Sequence, residues 1–185
     1  MSVVAAVRKH PDYDVIIVGG GPAGLFAAHY LCEHSDLKVL IIEKGKGPLK
    51  RKCPMNDKRK CMRCKPCTIL CGVGGAGLFS DGKLNYIHKL GKTDLTQFMP
   101  TLKAQELIAE TEQLFNRFGM DGPVYPTSME EARSIRKKAK RHGIDLLIIK
   151  QKHIGSDRLP GYIAGIADDI KSKGVTIHTS EEARD

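Results

Sequence analysis

The chain has 185 residues, 41% hydrophobic and 28% charged, with no tryptophan, a length and balance suited to one well-buried soluble core. No apolar run is long enough to cross a bilayer as a helix, and residues 1–13 lack the apolar stretch of a secretory signal, so no membrane partner is expected. The net charge of +9 turns the chain towards anionic partners, and six cysteines without a signal peptide predict a reducing, cytoplasmic setting.

Residues 1–12 read as an extension ahead of a βαβ unit at 13–50. Asp14, Val15, Ile16, Ile17 and Val18 form a short run rich in β-branched residues, which predicts a buried parallel strand. It runs into Gly19-Gly20-Gly21-Pro22-Ala23-Gly24, a GxGxxG pattern carried by Gly19, Gly21 and Gly24. A helical pattern follows through Leu25, Ala27, Ala28 and Leu31, then a second apolar strand, Val39-Leu40-Ile41-Ile42, ends on Glu43.

Each part has a physical task in holding a dinucleotide. Gly19 lets the strand turn tightly, Gly21 lets the backbone approach a pyrophosphate, and Gly24 lets helix and strand pack closely. The unpaired N–H groups at the start of the helix, with its positive dipole end, then face the phosphates. Glu43 stands where an acid accepts the ribose hydroxyls of an adenosine and repels a 2′-phosphate, which disfavours NADP here and leaves FAD and NAD. Pro22, Ala23 and Lys44 complete the candidate cofactor residues of this unit.

A Cys-rich and Gly-rich loop is expected over residues 51–90. Between positions 44 and 65, ten Lys or Arg stand against one acid, Asp57. Within that field lie Cys53-Pro54 and then Cys61, Cys64, Cys67 and Cys71, spaced C-x2-C-x2-C-x3-C as in bacterial ferredoxins. The spacing fits a 4Fe–4S cluster, with either Cys53 or Cys71 as the fourth ligand, and it also fits a tetrahedral zinc or a redox-active dithiol. The bland alternative is free thiols packed beside a cofactor domain. Cys32, alone in the first helix, reads as a structural thiol.

Directly after the cysteines come Gly72, Gly74, Gly75, Gly77 and Gly82, five glycines in eleven residues. Such a loop runs its backbone close against a ligand, with N–H groups open to anionic oxygens. Ser80, Asp81 and Lys83 would add a hydroxyl, a carboxylate and a cation beside it.

Taken together, GGGPAGLFAA, LIIEKG, the Cys-rich stretch and GGAGLFSDGKL resemble an uncharacterised family of FAD-dependent dehydrogenases within the glutathione-reductase-like superfamily. The resemblance implies an α/β fold with a Rossmann-like FAD-binding parallel sheet of glutathione-reductase type, incomplete at the C-terminus because that superfamily closes its FAD domain later in the chain. It also implies that the second glycine loop, with Gly75, Gly77, Ser80, Asp81 and Gly82, lies along the FAD pyrophosphate and flavin.

The second half, 91–185, reads as a helical insertion and the start of a substrate-side region that returns to the FAD domain. Leu107, Ile108, Leu114, Phe115 and Phe118 predict a helix over 100–118 stopped by Gly119. A second helix over 130–142 carries Arg133, Arg136, Lys137, Lys138, Lys140 and Arg141 and is stopped by Gly143. No aromatic residues interrupt either basic run, so a solvated face is favoured over a nucleic-acid platform. Leu146, Leu147, Ile148 and Ile149 predict a compact buried strand, and Leu159, Ile163, Ile166 and Ile170 a helix that ends at Gly174 before a last strand over 175–177. His153 and Asp157, four apart around Gly155, suit an acid/base pair, while Ser156 or Asp157 equally suits a helix cap.

The expected protein is an FAD-dependent oxidoreductase in which the flavin carries the hydride or electron. His153 would handle protons and Lys83 would stabilise the reduced flavin, with a small-molecule substrate or a redox partner and NAD(P)H as a donor. The other readings are an electron-transfer flavoprotein whose cysteines ligate a cluster, an RNA-associated flavoprotein, and an FAD-binding fragment without turnover.

Overall fold

The computed structural model describes residues 12–55 and 60–184. Most of the expected N-terminal extension and four residues of the first basic run, Asn56, Asp57, Lys58 and Arg59, therefore lie outside the described residues. The chain divides into two compact units, Met1–Leu78 with Ile163–Asp185, and Phe79–Tyr162.

The first unit is α/β. Its strands β1 (Val15–Val18), β2 (Val39–Glu43) and β8 (Thr176–Thr179) form a parallel sheet in the order β1-β2-β8. Ile41 pairs with Ile17 on one side and Ile177 on the other. The helix α1 (Pro22–His34) connects β1 to β2, as a parallel pair requires. Central β2 is the best buried strand, with Val39, Leu40 and Ile41 in the core beside Leu25 and Ala28 of α1. Residues Ile163, Ile166, Ala167 and Ile170 of α4 (Leu159–Ser172) join them, on the face that the apolar spacing predicted, with Val73, Leu78 and Val175. Lys173 reaches both Glu33 at 2.5 Å and Asp169 at 2.8 Å, tying the end of α4 to α1.

One expectation fails in part. The strand β1 is covered on one face only, and Ile16 and Val18 are 58% and 69% exposed. It lies at the sheet edge, so alternate side chains point away from the helices that bury the others.

The second unit is built on a small antiparallel sheet, β3 (Lys83–Asn85), β7 (Gln151–His153) and β6 (Val124–Tyr125), with β7 in the middle. A short hairpin joins β4 (Lys89–Leu90) to β5 (Thr93–Asp94). Two helices follow, α2 (Thr101–Arg117), which buries Ala104, and α3 (Met129–Arg141), which buries no side chain. Ser128 caps α3 by accepting the Glu131 N–H.

The glycine stops behave as predicted. After α2 the chain turns through Gly119 at φ +85°, and the next N–H, of Met120, donates back to the Phe115 carbonyl at 3.0 Å. This closure needs a left-handed residue, which glycine supplies without strain, and α3 and α4 end the same way at Gly143 and Gly174.

The strand expected at 146–149 is not formed. These residues have no ladder partners, and Leu147 is 57% exposed. The neighbouring strand β3 is three residues long and pairs instead with Gln151, Lys152 and His153. Beyond that register the Tyr86 N–H donates to the Lys150 carbonyl, one residue past the ladder.

Candidate functional site

The first glycine turn lies at the carboxyl end of β1. Gly19 adopts φ +106° and donates its N–H to the Ile42 carbonyl at 2.8 Å, so the turn is pinned to β2. A Cβ on Gly24 would stand 2.0 Å from the Gly19 carbonyl oxygen and 3.3 Å from Ile17, which no side chain tolerates. Gly21 is the N-cap of α1, with Pro22 following, no side-chain cap and no acid in the first turn. The helix therefore presents backbone N–H groups and the positive end of its dipole outward from the sheet.

The second glycine loop docks on the first. Gly74 donates to the Gly20 carbonyl at 2.8 Å, and a Cβ on Gly75 would contact Pro22 at 3.4 Å and Gly21 at 3.5 Å. Two runs 50 residues apart in sequence thus share one patch of backbone, at the strand ends where α/β proteins bind ligands. Gly77 lies further along, in the short 3-10 turn Ala76–Phe79, with open space around its Cα.

Glu43 has a fuller role than its position in the sequence suggests. Its buried carboxylate accepts three backbone N–H groups, from Gly20 and Gly45 at 2.8 Å each and from Gly72 at 2.9 Å. A carboxylate has about four acceptor directions. Most of its capacity therefore clamps the two glycine loops together. Lys44, beside it, lines a separate cavity with the cysteines.

Arg51 is a residue that sequence reasoning counted only as part of a basic field. It is 5% exposed and donates to five backbone carbonyls. Nε meets Thr68 at 2.9 Å, Nη2 meets Ile69 at 2.6 Å, and Nη1 meets Gly72, Val73 and Gly75 at 3.3, 3.0 and 2.7 Å. Burial pulls its pKa below the usual guanidinium value, against the opposing charge of Glu43. Nothing in its sequence context separates Arg51 from the nine other basic residues around it.

The cysteines do not assemble as the ferredoxin-like spacing suggested. Among the described residues no three His, Cys, Asp or Glu side chains converge as a metal site. Cys61 is exposed, while Cys53, Cys64, Cys67 and Cys71 are half-buried free thiols. Cys64, Cys67 and Cys71 line one cavity of about 610 Å³ with Lys65, Glu182 and Arg184; Cys53 and Cys61 are not part of its lining. The physical reason is the loop's internal order. Arg51 grips the Thr68 and Ile69 carbonyls, and Cys71 N–H donates to Cys67 C=O at 2.8 Å, so this backbone is organised by a guanidinium and a turn rather than by thiolates around an ion.

In the second unit, the remaining candidates meet around β3 and β7. Lys83 and His153 are direct partners in the ladder. Asp81 pairs with Lys83 at 2.8 Å, and its carbonyl lies 3.1 Å from His153 Nε2. The Lys83 ammonium, then the Lys83 N–H, hold the Asp81 carboxyl below the usual range. Ser80 Oγ accepts the Gly82 N–H at 3.3 Å. A Cβ on Gly82 would collide with the Gly155 backbone at 2.7 Å, so the loop and the turn after β7 touch backbone to backbone. Asp157 lies two residues before α4, and its Oδ1 stands 2.7 Å from where a Gly155 Cβ would be.

Comparisons with known proteins meet this chain through short segments. The model of the Thi4 family matches residues 2–48, which include the whole first glycine turn and Glu43. A stretch of 48 residues is 46% identical to a pyranose dehydrogenase of Agaricus xanthodermus, covering 22% of this chain and 8% of that protein. A stretch of 45 residues is 53% identical to the mitochondrial electron transfer flavoprotein-ubiquinone oxidoreductase of Arabidopsis thaliana, covering 22% of this chain and 7% of that protein. Over 36 residues the chain is 56% identical to ferredoxin–NADP reductase 1 of Bacillus velezensis, covering 20% of this chain and 10% of that protein. The matched segments span a tenth or less of these relatives.

Proposed function

We propose that this chain is the FAD-binding part of an FAD-dependent oxidoreductase, with a Rossmann-like sheet of glutathione-reductase type. The observation that carries the reading is the joined pair of glycine turns around the open N-terminus of α1. A pyrophosphate needs unclaimed N–H groups, a positive dipole and room for its oxygens at the backbone. The uncapped first turn of α1, from Gly21 through Ala23 and Gly24, meets that need, while Gly19 shapes the turn, Pro22 starts the helix, and Gly75 and Gly77 of the second loop lie alongside. Glu43 holds both loops in place and offers its spare acceptor capacity to a ribose, with Lys44 next to it.

When bound, FAD supplies the hydride or electron transfer. The chain's own groups bind and orient. In the second unit, Lys83, paired with Asp81, and His153, its ladder partner, carry the cation and the ring nitrogen suited to charge and proton handling. The relatives' names, a dehydrogenase, an oxidoreductase and a reductase, support redox chemistry with a small-molecule substrate, NAD(P)H or a redox protein as partner. The free thiols support a reducing, cytoplasmic setting. The thiols as arranged do not fit an iron–sulfur cluster or zinc, so no electron step is routed through them.

The test is a titration of the purified chain with FAD, read by flavin fluorescence quenching and visible absorption. Stoichiometric uptake, lost in Gly24→Ala and retained in His153→Ala, supports the reading. Equal uptake by wild type and Gly24→Ala would overturn it.

A further inference from the structure

The cavity of about 610 Å³ in the first unit falls within the roughly 300–1,000 Å³ usual for small-molecule sites. It lies past the carboxyl ends of β2 and β8, since its wall includes Lys44, next after Glu43, and Ser180, next after Thr179. Cys64, Cys67 and Cys71 line it too, and the flavin chemistry proposed above uses none of these thiols.

Three observations meet there. First, the thiols are gathered and partly accessible. All three are free and half-buried, and their backbone is held by the Cys67–Cys71 turn and by Arg51 on the Thr68 and Ile69 carbonyls. Second, the wall is positive. Glu182 pairs with Arg184 at 3.3 Å, whereas Lys44 and Lys65 have no ion-pair partner among the described residues. Two formal positive charges are therefore left for a ligand. Third, Arg51 stands close to two of the sulfurs. Burial lowers its pKa, and the charges of Glu43, then Cys71 and Cys67, act in the opposite direction. A negative charge on either sulfur thus has a fixed cation within electrostatic reach, and the thiolate is the attacking species in disulfide exchange.

We infer that this cavity takes up one arm of a small acidic disulfide, an arm with two carboxylates as in glutathione disulfide, and that Cys67 or Cys71 exchanges with it. The two carboxylates match the ammonium groups of Lys44 and Lys65, and the ammonium of the arm matches Glu182. In the step, the deprotonated cysteine Sγ attacks one sulfur of the disulfide. A bond forms between Sγ and that sulfur as the original S–S bond breaks, and the departing thiolate takes up the proton that the cysteine released. The cysteine is oxidised and the departing half is reduced, so the disulfide itself is the oxidant. Lys44 apart, these residues are distinct from those proposed to hold FAD, and the exchange needs no flavin.

The experiment exposes the reduced 185-residue chain briefly to glutathione disulfide and, in parallel, to the neutral bis(2-hydroxyethyl) disulfide. Acid quenching and tandem mass spectrometry then assign each mixed disulfide to its cysteine. Exposed Cys61, which both reagents reach, is the internal reference. The ratio of labelling at Cys67 and Cys71 to labelling at Cys61 should be about fivefold or more higher with glutathione disulfide, and the excess should shrink as salt is raised. Lys65→Met should lower the ratio for glutathione disulfide and leave that for the neutral reagent unchanged. The Cys67→Ser, Cys71→Ser double variant should lose cavity labelling while Cys61 still reacts. Equal ratios for the two reagents, or glutathionyl adducts confined to Cys64 or to cysteines outside the cavity, would each overturn the inference. The wild-type comparison of the two reagents needs no variant to fold, and none of these results depends on bound FAD.

Discussion

The two units bury charge in opposite ways. In the first, Glu43 and Arg51 are satisfied by backbone, three N–H groups for the acid and five carbonyls for the base. In the second, Glu112, Lys150 and Lys152 are satisfied largely by one another and by Asn116. A backbone-built centre depends on loop geometry and therefore on glycine. A side-chain-built centre depends on its ion pairs. This is why the glycine loops are the part proposed to hold a dinucleotide, while the Lys–Glu cluster is an ion-paired part of the second unit.

The contrast breaks most sharply at Gly24. Gly24→Ala puts a Cβ 2.0 Å from the Gly19 oxygen, so α1 must shift from β1 and the turn must open. The expected loss of FAD affinity is on the order of 100-fold or more, measured by flavin fluorescence titration. Arg51→Met is the next largest effect. It takes the guanidinium away from five carbonyls, of which Gly72 and Gly75 keep a backbone N–H partner, and should cost about 3–5 kcal/mol in chemical denaturation, since each buried orphan acceptor costs about 1–3 kcal/mol. Arg63→Met, on the exposed part of the same basic run, should change stability by less than about 0.5 kcal/mol.

In the second unit the prediction is a pH dependence. Burial alone would raise Glu112, but hydrogen bonds from Lys150 and Lys152 outweigh it and hold its carboxyl below the ordinary value of 4.5. A depressed folded-state pKa contributes stability that is present above the unfolded value and lost as pH falls through the folded one. Wild type should therefore lose stability on acidification below about pH 4.5 by more than Glu112→Gln does. At neutral pH that variant should cost about 2 kcal/mol, because buried Lys152 keeps neutral partners such as Asn116 but loses its carboxylate. The smallest effect belongs to Cys61. Its thiol is exposed, so Cys61→Ser should leave FAD affinity unchanged and stability within about 0.5 kcal/mol, by the same titrations.

How much of this was legible in the sequence follows the same division. The βαβ unit, the three glycine-stopped helices and the apolar face of α4 depend on local pattern, and they appear where the pattern places them. The pairing of Lys83 with His153 was not visible, although both were singled out, because a ladder register joins positions 70 residues apart. Tyr86, Glu112 and Lys150 escaped notice for the same reason, since no spacing rule links them. Arg51 was hidden among like charges. The apolar run at 146–149 misled because hydrophobicity marks a strand only where a partner strand is in register. The cysteine spacing is not matched by converging side chains among the described residues, where Arg51 orders the backbone from Thr68 to Gly75.

The most direct measurement of the central claim is the visible absorption spectrum of the anaerobically purified chain, stripped of free small molecules and then titrated with FAD. The account predicts structured flavin bands that saturate at one FAD per chain, without broad iron–sulfur absorption beneath them. A colourless protein that takes up no FAD would contradict it.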